Sequence, residues 1–489
     1  MSGSLKDKAL SGIFWSFSER IGQQAIQFVI QIVLARLLLP EQFGVIAMLA
    51  IFMAVAQSFI DSGFGQALIQ KQNATPVDES SVFYFNIAIG VLVAVILSLA
   101  APLIAAFYKM PILTPVTRVL SLTLIINAFG LIQTSLMTKR VDFKKQMKVS
   151  MVAVAGSGVV GILLAYLGLG VWALVIQSLC NSLLRTVMLW FVHKWRPIRA
   201  ISLKSLRSMF SYGSKLLFSG LLDTIYNNLY LLVIGKFFSA RDLGFYSRAR
   251  SIQQLPVDNV TSSVGRVTFP VFSSIQDDKE RLKRGLKEAL KNMAIVNFAL
   301  MIGLAVCARP LVRVLLTDKW LPAVPYLQLL CIVGMLYPLQ AINLNVLKAQ
   351  GRSDLFFWLE IIKKALVTVA IFVTYRWGII AMIYGQIATS LIAYYLNTYY
   401  TGKMLKYPIT EQVIDLIPAL GLSLLMGAIL FLLTLLPINS QILILSLQIV
   451  IGISLWITLC WIFKISPFVN LRNRMLPVLR NIRLNSKAG

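Results

Sequence analysis

Of 489 residues, 58% are hydrophobic and only 13% are charged, with a mean hydropathy of +0.77 and a formal net charge of +27. A water-soluble fold of this size could not cover so much apolar surface with so few charges, so a soluble enzyme is excluded. The basic excess reads as membrane orientation rather than nucleic-acid binding. Cys180, Cys307, Cys331 and Cys460 sit inside apolar runs without C-x-x-C spacing, and His193 is the single histidine, so neither a disulfide nor a metal site is expected.

Apolar runs long enough to cross a bilayer recur about 14 times. The first, 12–35, is followed by no small-residue cleavage site, so no cleavable signal is expected. It carries Ser16, Arg20, Gln24, Gln27 and Gln31 at spacings of three and four, one continuous helical face, with Glu19 beside it. A polar stripe along a spanning helix reads as a cavity wall, with interhelical hydrogen bonding as the alternative. The second span, 44–65, carries Asp61 near its end; spans follow at 82–107, 116–138, 149–167 and 170–192. The sixth carries Gln177, Asn181 and Arg185, the arginine placed to snorkel to the interface.

The seventh span, 210–235, repeats the stripe with Lys215, Ser219, Asp223, Tyr226 or Asn227, and Tyr230. In the eighth, 243–274, Arg248, Asn259 and Arg266 fall on one face with Pro256 between them as a kink position. Further spans are expected at 290–316, 323–347, 355–375, 378–401, 413–436 and 441–463; Glu360, Lys363 and Lys364 lie in the eleventh, the two lysines expected to snorkel.

With the N-terminus inside and sides alternating, about 29 Lys and Arg fall in cytoplasmic segments, about 9 outside and about 8 within spans, the sense of the positive-inside rule. Both termini are therefore expected in the cytoplasm. The chain also echoes itself: Ser4-Leu5-Lys6 by Ser202-Leu203-Lys204, and Ala35-Arg36…Gln42-Phe43-Gly44 by Gly235-Lys236…Asp242-Leu243-Gly244. Six spans per repeat make the halves parallel copies, as in alternating-access transporters. The expected fold is an all-α integral membrane protein of about 14 helices. It comprises an N-lobe over 1–200, a C-lobe over 201–405, two further helices over 406–464 and a basic cytoplasmic tail over 465–489.

The stripes hold more cations than acids. A low-dielectric cavity of that sign favours an anionic cargo group, and arginine's planar fork suits phosphate oxygens. Arg20, Gln24, Gln27, Gln31, Lys215, Asp223, Asn227, Tyr230, Arg248, Asn259 and Arg266 are the expected substrate-binding residues, with Arg20 and Arg266 weighted for the anion. Glu19, Asp61 and Asp223 could neutralise those charges or carry a coupling proton or Na⁺. No phosphate loop and no extramembrane stretch large enough for a catalytic domain occur, so no enzymatic activity and no cofactor are expected.

The stretch Leu243-Gly244-Phe245-Tyr246-Ser247-Arg248-Ala249 through Arg266-Val267-Thr268-Phe269-Pro270 to Ile275-Gln276-Asp277-Asp278 resembles polysaccharide transporters of the multidrug/oligosaccharidyl-lipid/polysaccharide exporter superfamily. Asp318-Lys319-Trp320, Leu327-Gln328-Leu329-Leu330-Cys331 and Ala35-Arg36-Leu37-Leu38…Phe43-Gly44 are similar to its colanic-acid exporter and lipopolysaccharide-flippase group. The resemblance implies a two-lobed bundle in a bacterial inner membrane that flips undecaprenyl-diphosphate-linked oligosaccharide for surface polysaccharide synthesis. Its implied partners are that lipid-linked oligosaccharide, membrane lipids and other polysaccharide-assembly proteins, and not nucleic acid. Two other readings remain: a cation-coupled multidrug exporter of the same superfamily, and a membrane-embedded oligosaccharide ligase or polymerase. The short external loops and basic excess weigh against both.

Overall fold

The computed structural model describes residues 2–61, 63–438 and 440–463, with the side chains before Trp15 and those of Ser16, Phe17 and Tyr212 outside the description. The basic tail at 465–489 lies outside the described residues. Sixteen α-helices and two short 3-10 turns make up the described chain, with no strand among the described residues. They form two compact units, Met1–Ser247 and Arg248–Gly489.

The first unit holds α1 (Ser2–Leu37), α2 (Pro40–Asp61), α3 (Phe64–Gln70), α4 (Pro76–Tyr108), α5 (Leu113–Lys139), α6 (Phe143–Tyr166), α7 (Val171–Val192), α8 (Leu203–Phe237) and the first turns of α9 (Ala240–Ser274). The second holds the rest of α9, then α10 (Lys279–Val306), α11 (Ala308–Leu316), α12 (Val324–Ala349), α13 (Ser353–Thr374), α14 (Ile379–Leu405), α15 (Ile409–Leu433) and α16 (Gln441–Ile462). The seven-residue α3 and nine-residue α11 are too short to cross a bilayer. That leaves 14 helices of 22 to 36 residues, as the apolar runs predict. Eleven are apolar enough by composition to span a membrane; α1, α9 and α13 are as long but more polar, and they carry three of the charged stripes.

Local chemistry sets the helix ends. Thr75 caps α4 by accepting from Asp78 N (3.2 Å), while Asp78 accepts from Thr75 N (2.9 Å), a reciprocal box completed by Pro76 in the first turn. Asp278 caps α10 by accepting from Arg281 N and Ser440 caps α16 by accepting from Leu443 N, each a single side-chain cap. The expected single span 290–316 is broken at Cys307: a proline at position 310 lacks an N–H and its ring crowds the carbonyl of Val306, so α10 stops there and α11 restarts. The second expected span likewise ends at Asp61, because Gly63 takes a left-handed turn (φ 71°) against Gly213 of α8 before α3 begins.

Packing inside the first unit relies on small residues, since lipid offers apolar side chains no solvent to escape. Besides Val149 and Val154, the buried face of α6 reads Ser150, Ala153, Ser157, Gly158, Gly161 and Ala165, which lets α1 and α7 approach closely; Ile30 of α1 lies on Gly158 and Gln177 of α7 on Gly161. In the second unit, Pro338 deprives the Gly334 carbonyl of its helical partner. The buried Asn297 of α10 supplies the replacement, donating to Gly334 O and Met335 O at 3.0 Å each.

The starts of α2 and α9 cross by direct backbone contact. A Cβ on Gly44 would lie 1.7 Å from Ala240 O, and one on Gly244 would lie 2.0 Å from Pro40 O. These are the two glycines that the sequence pairs as echoes, and each faces the other's helix start.

Candidate functional site

On α1, Arg20 and Gln24 are half-buried and Gln27 is exposed, whereas Ile30, Leu34 and Ala35, further along, are buried. On α8, Lys215, Asp223 and Asn227 are exposed, while Tyr230 is buried with Leu231 and Ile234. Tyr230 thus departs from the expected cavity-lining set. Seven residues past Asp223 it shares that residue's face, but there α8 closes onto α2 and α4: a Cβ on neighbouring Gly235 would meet Tyr108 at 3.0 Å and Met48 at 3.1 Å. Both polar faces are therefore open at the Arg20 and Lys215 ends and packed shut toward the glycine crossing. Ser58 and Thr224 hydroxyls, 3.2 Å apart, tie α8 to α2 midway.

Arg20 makes no hydrogen bond or ion pair among the described residues, and Gln31 sits half-buried on the same stripe. Its neighbour Glu19 accepts from Ser150 Oγ of α6 at 3.0 Å. Asp61, on α2, accepts from Gln57 Nε2 at 3.0 Å, and Gln57 Oε1 in turn accepts from Asn127 of α5 at 3.1 Å. Arg185 of α7 acts electrostatically on both Glu19 and Asp61. Arg185 itself is exposed. Asp223 stands exposed on α8, one turn from Asn227.

In the second unit the α9 residues part company. Arg248 is buried, its guanidinium 5.7 Å from the ring centroid of the fully buried Trp320. It is a packed cation over an aromatic face rather than an open cavity wall. Asn259 spends an amide N–H on Leu255 O of its own helix at 2.9 Å. Arg266 is exposed and has no hydrogen bond or ion pair among the described residues. On α13, Lys363 pairs with Glu360 one turn back, so it is held by a partner where snorkelling was expected.

A larger charged network was not anticipated. Lys287 bonds Glu411 (3.2 Å) and Asp415 (2.9 Å), Lys291 bonds Asp415 (2.9 Å), Lys283 reaches Glu411 (3.3 Å), and Tyr407 Oη donates to Asp415 (2.7 Å). It fastens the start of α15 to α10. Its signal in sequence was the matching four-residue spacing of Lys283, Lys287 and Lys291 against Glu411 and Asp415. Beneath it, Thr401 donates to Asn343 (2.7 Å) and Gln412 Nε2 to Tyr407 O (3.2 Å), all buried. Among the described residues no three His, Cys, Asp or Glu side chains gather into a metal site.

The family model described as "Polysaccharide biosynthesis protein" matches residues 33–325. The teichuronic acid biosynthesis protein TuaB of Bacillus subtilis (strain 168) is 30% identical over 359 residues, covering 73% of this chain and 74% of its own. The lipopolysaccharide biosynthesis protein WzxC of Escherichia coli (strain K12) is 27% identical over 400 residues, 80% of this chain and 81% of its own. Among solved structures, the lipid II flippase MurJ in an inward closed conformation superposes with a TM-score of 0.73 at 16% identity, over 92% of this chain and 98% of its own, a likeness of fold.

Proposed function

Because the chain belongs to the polysaccharide biosynthesis protein family, we propose that it is a bacterial inner-membrane flippase moving undecaprenyl-diphosphate-linked oligosaccharide to the external leaflet by alternating access. The observation that carries the reading is the pair of polar faces on α1 and α8, open where Arg20 and Lys215 stand and shut toward Gly44 and Gly244. The positive-inside count puts the open end and both termini in the cytoplasm, where the cargo is made. Arg20 is a half-buried cation without a partner of its own among the described residues, and its fork suits the diphosphate; within the second unit Arg266 is an exposed guanidinium of the same chemistry. Gln24, Gln27 and Asn227 supply hydrogen bonds to sugar hydroxyls. The repeats over 1–200 and 201–405 are the moving parts, with the last two helices outside them.

An ion gradient drives the cycle. Glu19, held by Ser150, and Asp61, held by Gln57, are the best-placed proton or Na⁺ carriers, each a carboxylate with one neutral hydrogen-bond donor. Asp223 is the third candidate.

A deletion strain tests the assignment. The lipid-linked unit should accumulate complete and unpolymerised, protected from a glycosidase added on the periplasmic side. Ready cleavage would show that cargo crosses without this protein, the outcome for a ligase or polymerase. Normal surface glycan with drug sensitivity would point to the multidrug exporter.

A further inference from the structure

In the first unit, α2, α4 and α8 enclose a groove of about 1070 Å³ lined by aliphatic and aromatic side chains alone, among them Phe59, Ile89, Ala100, Phe107, Ile225 and Leu232. All three helices are long and apolar enough to cross the bilayer, so the medium around the groove is hydrocarbon and its occupant is a hydrocarbon chain. α2 lines the groove from Ile51 to Phe59 and α8 from Ile225 to Leu232, while α4 lines it from Ile89 to Phe107. At 1.5 Å per residue the α2 and α8 stretches run roughly 10–12 Å and the α4 stretch about 27 Å, so the slot reaches well into a hydrocarbon core of about 30 Å.

One end of this apolar slot carries a cation. Lys236, in the last turn of α8, holds its ammonium 4.2 Å from the ring centroid of Phe107, a groove wall, and donates to the Phe107 carbonyl. A helix-capping role uses one of its three N–H groups and leaves two. Lys109, exposed in a left-handed turn (φ 57°) directly after α4, adds a second positive charge at the same end. The carboxylate that follows, Asp242, is already engaged by Ser239 Oγ at 2.6 Å.

We propose that this groove is a binding site for an anionic glycerophospholipid, its acyl chains between α2, α4 and α8 and its phosphate on Lys236 and Lys109. The site is separate from the polar faces assigned to cargo, and the two lysines at its end suit an anionic headgroup whose acyl chains lie in the slot.

Native mass spectrometry of the full-length protein, released from mixed phosphatidylglycerol and phosphatidylethanolamine micelles, tests it. The parent protein should retain phosphatidylglycerol preferentially. Lys236→Gln should lower that retention about fivefold, the weight of one basic residue at a lipid surface, and leave phosphatidylethanolamine unchanged. Lys236→Arg should keep the preference, and Ala100→Phe, which fills the slot, should reduce retention of both lipids. A photo-crosslinking side chain at Ala100 in membranes, with Lys236 intact, should yield a glycerophospholipid adduct and covers the case in which Lys236→Gln fails to fold. Equal retention of the two headgroups by the parent protein, or an adduct to a prenyl lipid, would overturn the proposal.

Discussion

Substituting Gly44 tests whether the crossing of α2 and α9 is required for the closed end of the first unit. A Cβ at Gly44 would stand 1.7 Å from Ala240 O and 2.5 Å from Ala240 C, and one at Gly244 2.0 Å from Pro40 O and 2.7 Å from Pro40 C. The obstacles are backbone atoms, so no side-chain rotamer can yield. To restore the 3.4 Å of ordinary contact the helix starts must part by about 1.7 Å. Over-packing of this kind costs about 1–3 kcal/mol, so Gly44→Ala should cut the population of this crossing by roughly 5- to 150-fold relative to forms in which the starts separate. Gly244→Ala should do the same from the other helix.

The assay is thiol accessibility. In a background with the four native cysteines replaced, Tyr230→Cys should be protected from a membrane-impermeant maleimide applied on the side where α2 begins, because position 230 is only 5% exposed. Gly44→Ala should make it reactive while expression and thermal melting stay near parental. If both glycine variants leave Tyr230→Cys protected and export unchanged, the close approach is incidental and the reasoning from it fails.

Four further outcomes are expected. Arg20→Ala and Arg266→Ala should each abolish export in a complementation assay with normal expression, and Arg→Lys should rescue only in part because the fork is lost. Glu19→Gln and Asp61→Asn should each impair gradient-driven flipping in proteoliposomes more than cargo binding; equal flipping with and without a gradient in the parent would remove Glu19 and Asp61 from coupling. Asp415→Asn, which loses contacts to Lys287, Lys291 and Tyr407, should cost about 1–3 kcal/mol of stability, read as a lower melting midpoint in detergent. His193 is buried and accepts from Trp195 N, and burial first, then the charges of Arg140, Lys145 and Arg196, lower its pKa against the raising effect of Asp142. The unfolded chain thus binds the proton more readily, so stability should be flat above about pH 6.5 and fall as pH drops toward the native midpoint. NMR of this sole histidine should find that midpoint below 6.5.

What the sequence conveyed, and what it withheld, follows from which forces are local. A bilayer demands long uninterrupted apolar runs, so spans such as 170–192 and 441–463 coincide with α7 and α16 to within a residue. The breaks at Gly63 and Pro310 are single-residue events inside continuing apolar runs, where hydropathy averages over them. Helical period fixed the polar face of α1 and of α8, but period carries no information on depth. Asp223 and Tyr230 share a face, and only the packing of Gly235 on Met48 and Tyr108 decides that one is open and the other buried.

Partner identity is harder still, because it depends on which helices meet. Arg185 reads as an interfacial cation from its own helix, and Glu19 and Asp61 as separate acids on theirs. Only the packing of α1 on α6 gives Glu19 the Ser150 hydroxyl, and only the Gln57–Asn127 link between α2 and α5 fixes where Asp61 stands. The same reasoning separates the arginines of α9. Arg248 and Arg266 are equivalent by composition and by face, yet Trp320 covers one and leaves the other open. An anion reaching α9 therefore meets Arg266 at once, and Arg248 only if Trp320 moves. For that reason Trp320→Ala should restore part of the export that Arg266→Ala abolishes, and no restoration would show that Arg248 cannot stand in for Arg266.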